Sequence, residues 1–256
     1  MKTLTAALVA GVSLLAASAT LTATAPVALA ASASPLADPG RPAEDVARDA
    51  ARKPLELAAF AGIKAGDRVV DLIPGGGYFT FVFSGLVGPT GHVYATVPAP
   101  AKDYMAKKTA VIDAWAATHP NTSVVYSAGG FTPPDGPADL VWTAQNYHDL
   151  YNPIGPAAGP PNLLPINKAI FAALKPGGVY LIVDHSAPAG SGTADTKTLH
   201  RIDEAVVRKD VEAAGFVFEG ASDVLRNPAD PRTALVFDPS IRGKTDQFVL
   251  KFRKPK

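Results

Sequence analysis

The sequence predicts an open, doubly wound α/β sheet of mostly parallel strands. Short β-branched runs alternate with segments of helical apolar periodicity along most of the chain. One such run, Arg68-Val69-Val70-Asp71-Leu72, passes through Ile73-Pro74-Gly75-Gly76-Gly77 into a segment carrying Phe79, Phe81, Val82 and Leu86. That order is a buried strand, a tight turn and a helix. Finally, His- and Asp-bearing clusters directly follow two later predicted strands, where open α/β sheets bind their ligands.

The chain has 256 residues and no cysteine, which excludes disulfides and thiol catalysis. Its 24 basic residues nearly balance 23 acidic ones, so nothing points to nucleic acid as a partner. Residues 1–30 read as a secretory signal peptide: Lys2, an apolar Ala/Leu/Val-rich run, then Ala28-Leu29-Ala30 as the cleavage site. The expected location after cleavage is periplasmic or secreted, with no stable membrane insertion. Residues 31–43, rich in Ala, Ser, Pro and Gly, are expected to be a flexible lead-in. Residues 44–256 are long enough for one domain with a full core.

A helix is expected from Glu44 to Lys53, broken at Pro54, with a second short helix from Leu55. Arg48 and Arg52 lie one turn apart, so both could face one cleft, and a solvated face is the favoured reading. After the glycine turn and its helix come strand two (His92–Val97), a helix over 102–118, strand three (Ser123–Tyr126) and strand four (Asp139–Thr143). Tyr151 to Pro165 carries five prolines and two glycines, and reads as a loop or lid beside the site. Ile166 to Leu174 is helical, and Val179–Val183 is strand five. A helix over Leu199–Ala214 and two alternating strands, 216–220 and 246–252, complete the chain. The last two have no helix between them and are expected to be antiparallel.

The Asp71-to-Gly77 stretch resembles motif I of the class I S-adenosylmethionine (SAM)-dependent methyltransferases, a hydrophobic strand ending D-x-G-x-G-x-G. Leu174-Lys175-Pro176-Gly177-Gly178 before strand five, Ala213-Ala214-Gly215-Phe216 and the D-L-V of strand four (Asp139-Leu140-Val141) extend the resemblance over most of the chain. It implies a Rossmann-like methyltransferase fold: seven strands, mostly parallel, the last antiparallel. Pro74-Gly75-Gly76-Gly77-Tyr78, Asn146-Tyr147-His148-Asp149 and the C-terminal Lys244-to-Phe252 run resemble the exported predicted methyltransferases of Gram-negative bacteria. The resemblance implies SAM as cofactor, Asp71 as anchor of the turn, and Pro74, Gly75, Gly76, Gly77 and Tyr78 lining its pocket. Three positions depart from the pattern. Ile73 replaces the first glycine, Val97 stands where an acid binds the ribose, and Gly129-Gly130 stands where an acid lies near the adenine. Asp103 is the one nearby substitute for the ribose acid.

Catalytic candidates fall at the strand ends: His148 and Asp149 after strand four, Asp184 and His185 after strand five. His200 and Glu204 are expected on one face of the following helix. Methyl transfer to an oxygen or nitrogen nucleophile needs a proton acceptor, and an imidazole beside a carboxylate suits that near neutral pH. His148 ranks first, with Asp149 as its orienter or a substrate contact, and a small-molecule acceptor is the expected partner. A His-Asp step can equally be a turn and helix cap. The same residues are suitable metal ligands, but no H-x-x-x-H or H-E-x-x-H spacing supports a metal, and none is assigned. A metal-assisted hydrolase and a non-catalytic periplasmic binding protein are the alternative functions on this sheet.

Overall fold

The computed structural model describes Met1 and residues 34–152 and 162–256. The signal peptide and most of the Tyr151–Pro165 loop therefore lie outside the described residues. Among the described residues, no helix is long and apolar enough to cross a membrane.

Seven strands form one sheet: β1 (Arg68–Leu72), β2 (His92–Pro98), β3 (Thr122–Ser127), β4 (Ala138–Ala144), β5 (Leu174–His185), β6 (Val217–Ser222) and β7 (Gln247–Arg253). Their order is β3-β2-β1-β4-β5-β7-β6. The first five are parallel, and β7 runs antiparallel to both β5 and β6. This is the expected seven-stranded α/β sheet with an antiparallel last strand. The order reverses between β1 and β4, so the carboxyl ends of those strands open a crevice.

Period-two alternation sends successive side chains to opposite faces of the sheet. Val69, Trp142 and Leu181 face α3 (Pro54–Ala61) and α4 (Tyr78–Val87), with Trp142 packed on Phe79 and Phe83 at ring-centroid distances of 4.6 and 5.0 Å. Val70, Val141 and Tyr180 face α6 (Leu164–Ala173) and α7 (Glu204–Ala213) through Ile170, Val207 and Val211. Strands buried on both faces read as continuous apolar runs, which is why the sequence marked them clearly. A further helix, α5 (Lys102–Ala116), packs Ile112 and Trp115 on Phe81 and Ala95.

Residues 128–137 join β3 to β4 without a helix, as Gly129, Gly130 and three prolines interrupt any helical run. Three sequence expectations are corrected. The first helix is two single turns, α1 (Ala43–Val46) and α2 (Asp49–Arg52), separated at Ala47-Arg48, and Lys53 ends the second with left-handed dihedrals ahead of Pro54. The helix expected from Leu199 starts at Glu204, where the Asp203 carboxylate accepts the Ala205 N–H at 3.0 Å as its N-cap. Residues 34–42, within the expected lead-in, are tied down: Arg41 is buried and bidentate on Asp49, and Asp38 meets His119 at 3.0 Å.

Candidate active site

The carboxyl ends of β4 and β5 carry a chain of four polar side chains. Asp184, fully buried, accepts the His148 backbone N–H at 2.8 Å and faces His148 Nδ1 at 2.8 Å. An ionised carboxylate only accepts, so Nδ1 bears the hydrogen and Nε2 of the neutral ring carries a lone pair. That Nε2 lies 3.1 Å from His200 Nδ1 and 3.3 Å from Asp149 Oδ1. Burial opposes charge on the His148 ring, but Asp184 outweighs it with help from Asp149, so the imidazole pKa is raised. Burial likewise pushes Asp184 upward, yet His148, through charge and hydrogen bonds, holds it below the ordinary carboxylate range.

The carboxylate that orients His148 is therefore Asp184, not Asp149. Asp149 sits at the other ring nitrogen with an exposed side chain, on the side open to a substrate. His185 occupies a different place from its neighbour. Its ring is buried, meets Thr245 Oγ1 at 2.8 Å, and lies 6.2 Å from the His148 ring. Burial drives its pKa down to about 4 despite Asp184. His185 thus stays neutral and braces the dyad from behind.

His200 joins the cluster, though not from a helix. It lies four residues before α7 with φ of 54°, a conformation few side-chain-bearing residues adopt. Its neighbours hold it there: Arg201 is fully buried, bidentate on Asp230 and bonded to the Ser186 carbonyl. Glu204 points elsewhere and pairs with Arg226, while Arg208 pairs with Glu212.

On the β1 side, buried Asp71 accepts the Thr80 hydroxyl at 2.6 Å, tying the strand end to the first turn of α4. Burial lifts its pKa to about 6. Gly75 (φ 59°) and Gly76 face open space, so a ligand can approach the backbone there. Gly77 differs: at φ 90°, a Cβ on it would stand 2.6 Å from the Phe81 ring and 2.9 Å from Ile112. Its lack of a side chain serves the packing of α4. Tyr78 is also turned inward, donating to Asp49 Oδ1 at 2.7 Å beneath the guanidinium groups of Arg41, Arg48 and Arg52. Ile73 adopts φ of 56° and fills the wall between Val97, Met105 and the main core.

Ile73 and Gln145 are each the first residue after β1 and β4, and both take positive φ. Asn146 links the two bends by donating to the carbonyls of Ile73 and Ala144 at 2.9 and 2.7 Å. Beside them lies Arg52, which corrects the solvated-face reading. It stacks 4.2 Å from the Tyr78 centroid and 4.8 Å from Phe79, and lines a narrow cleft with Gln145, Val183 and Gln247. Burial, with Arg48 nearby, lowers its pKa to about 10. Arg41 and Arg48 each have a carboxylate, but among the described residues Arg52 has only Gln145 Oε1, at 3.4 Å. The spacing of Arg48 and Arg52 showed a shared face; only the packing shows which of them is unpaired. At the end of β2 no carboxylate is present, and Asp103 is exposed on α5.

No family model and no curated protein matches this sequence. Solved structures do, and their shared architecture is that of the SAM-dependent methyltransferases. A SAM-dependent methyltransferase from Aquifex aeolicus is 19% identical over 80% of this chain and 97% of its own, with a TM-score of 0.52. One from Clostridium acetobutylicum is 10% identical over 80% and 91%, at 0.52. The [4+2]-cyclase SpnF is 16% identical over 80% and 81%, at 0.57. The chain has the class I methyltransferase fold.

Proposed function

We propose that this protein is a SAM-dependent methyltransferase acting on a small or medium-sized acceptor, with His148 as the proton acceptor. The observation that carries the reading is the His148–Asp184 pair at the ends of β4 and β5, across the crevice from the open glycine turn after β1.

The residues present fit the methionine end of the cofactor. Gly75 and Gly76 leave the turn open, and Arg52 is a shielded cation with no carboxylate among the described residues, suited to the amino-acid carboxylate. Asp71, close enough to Arg52 to feel its charge, lies at the same strand end. The ribose end lacks a carboxylate acceptor on β2, so its hydroxyls rely on neutral groups and water. When bound, SAM supplies an electrophilic methyl group on a sulfonium sulfur. His148 would take at Nε2 the proton that the acceptor's hydroxyl or amine releases as its lone pair bonds the methyl carbon and the carbon–sulfur bond breaks, leaving a neutral thioether. Asp184 keeps Nδ1 protonated and offsets the positive charge that then develops on the ring. Asp149, on the open side, is placed to contact the acceptor.

The same reading holds that residues 1–30 direct export and are removed. Fold alone does not fix the reaction, as the cyclase on this architecture illustrates. Calorimetric titration of the purified protein with SAM and its demethylated product is the first test. Binding of neither compound overturns the proposal; binding without turnover on any acceptor favours a non-catalytic binding protein.

A further inference from the structure

We infer that His148, Asp149 and His200 form a binding site for a divalent transition-metal ion of the zinc class. The three ligand atoms, His148 Nε2, Asp149 Oδ1 and His200 Nδ1, make a triangle with edges of 3.1, 3.3 and 3.5 Å. A tetrahedral ion with bonds of about 2.0–2.1 Å separates neighbouring ligand atoms by about 3.3–3.4 Å. The triangle therefore has the size of one face of that tetrahedron before any rearrangement.

While His148 is neutral, hydrogen bonding accounts for less of this arrangement. With the His148 Nδ1 hydrogen committed to Asp184, Nε2 offers a lone pair, and an ionised Asp149 also only accepts. A proton on His200 Nδ1 satisfies one edge and leaves the His148–Asp149 edge as two facing lone pairs. A cation satisfies all three edges at once.

The surroundings match those of functional metal sites. Asp184 behind His148 is the outer carboxylate that fixes a metal-binding imidazole in the required tautomer. The buried Arg201–Asp230 pair holds the strained His200 backbone in place. His148 is 2% exposed whereas Asp149 is 46% exposed, so the fourth position opens outward. Three protein ligands with one open position is the catalytic arrangement rather than the structural one. Two imidazole nitrogens favour zinc or a similar first-row ion over magnesium or calcium.

The inference goes beyond the transfer reading but shares His148 with it. The two uses of Nε2 exclude each other: an ion there occupies the lone pair that takes the proton in the metal-free protein, and its open position would instead activate the acceptor's oxygen.

The test is a cobalt(II) titration of tag-free, chelator-stripped protein, without SAM or acceptor. The expected result is saturable binding with the intense visible absorption of tetrahedral cobalt, reversed by added zinc. His200→Ala and Asp149→Ala should each weaken binding at least about tenfold, while His92→Gln, on the far end of β2, leaves it unchanged. Asp149→Ala touches an exposed side chain, so it answers the question even if His200→Ala fails to fold. Lack of saturable cobalt binding, or wild-type affinity in Asp149→Ala, overturns the inference. SAM calorimetry on the same samples keeps the two readings apart: SAM binding without metal sinks only this one, and metal binding without SAM sinks only the other.

Discussion

Asp184 holds His148 at two points, taking the backbone N–H on Oδ2 and facing Nδ1 with Oδ1, each at 2.8 Å. One carboxylate thereby fixes both the start of the segment after β4 and the direction of its imidazole. The His185 backbone N–H also donates to Oδ1, again at 2.8 Å. These three donated hydrogen bonds keep the buried anion ionised with no arginine or lysine beside it among the described residues.

Removing the imidazole separates its chemistry from its packing. His148→Ala is expected to slow turnover by about 10²–10⁴-fold while SAM affinity stays within about twofold, since the cofactor end lies toward β1. Asp184→Ala removes the acceptor of two buried backbone N–H groups, and should cost at least about 2 kcal/mol of stability. Full activity per folded molecule in His148→Ala would remove it from catalysis. A melting temperature unchanged in Asp184→Ala would deny the bracing role.

Arg52 and Arg48 share a turn yet differ in partner. Arg52→Ala should weaken SAM binding by about 1.5–3 kcal/mol, the usual worth of a hydrogen bond to a charged group. Arg48→Ala, which breaks a pair with Asp45, should leave it nearly unchanged. Equal effects in calorimetry would move the carboxylate away from Arg52.

The glycines of the turn separate in the same way. Gly75→Val places its side chain in open space at the strand end, so it should abolish cofactor binding and keep a cooperative melt, at a lowered midpoint because valine is strained at φ of 59°. Gly77→Ala drives a methyl into Phe81 and should cost about 1–3 kcal/mol of stability. A Gly77→Ala protein as stable as wild type in urea would contradict this packing.

Asp71 gives a pH dependence. Its folded pKa, raised by burial to about 6, exceeds the ordinary carboxylate value, so the folded state holds a proton that the unfolded state has lost. Its contribution is complete below pH 4 and disappears as pH rises through 6. The difference amounts to about 3 kcal/mol. Asp71→Asn should therefore gain stability relative to wild type between pH 4 and 7. Parallel stability curves for the two proteins over that range would refute the shift.

The export signal is checked by mass. Mature protein beginning at or within a few residues of Ala31 is expected outside the cytoplasm; a soluble cytoplasmic form retaining Met1 would reject it.

The sheet was legible because its strands are buried on both faces: Val69-Val70, Leu140-Val141 and Leu181-Ile182-Val183 are apolar runs bounded by turn residues. Local chemistry also marked the turn at Gly75–Gly77 and placed His148, Asp149, Asp184 and His185 at strand ends. What those four do depends on which way each side chain leaves its strand end, and sequence spacing does not carry that. Asp184 turns back under His148, His185 is shut behind it against Thr245, and His200 arrives from 52 residues away on a backbone bend that helical spacing did not anticipate. Gly77 and Arg52 follow the same rule. A motif placed the glycine near a ligand and a helical repeat placed the arginine on a surface, but only the packing of α4 on Ile112 and of α2 on Tyr78 and Phe79 decided their roles. Strands and turns follow from short-range hydrophobic pattern and backbone sterics; a site built from contacts across the chain is settled only when tertiary packing fixes distances between residues far apart in sequence.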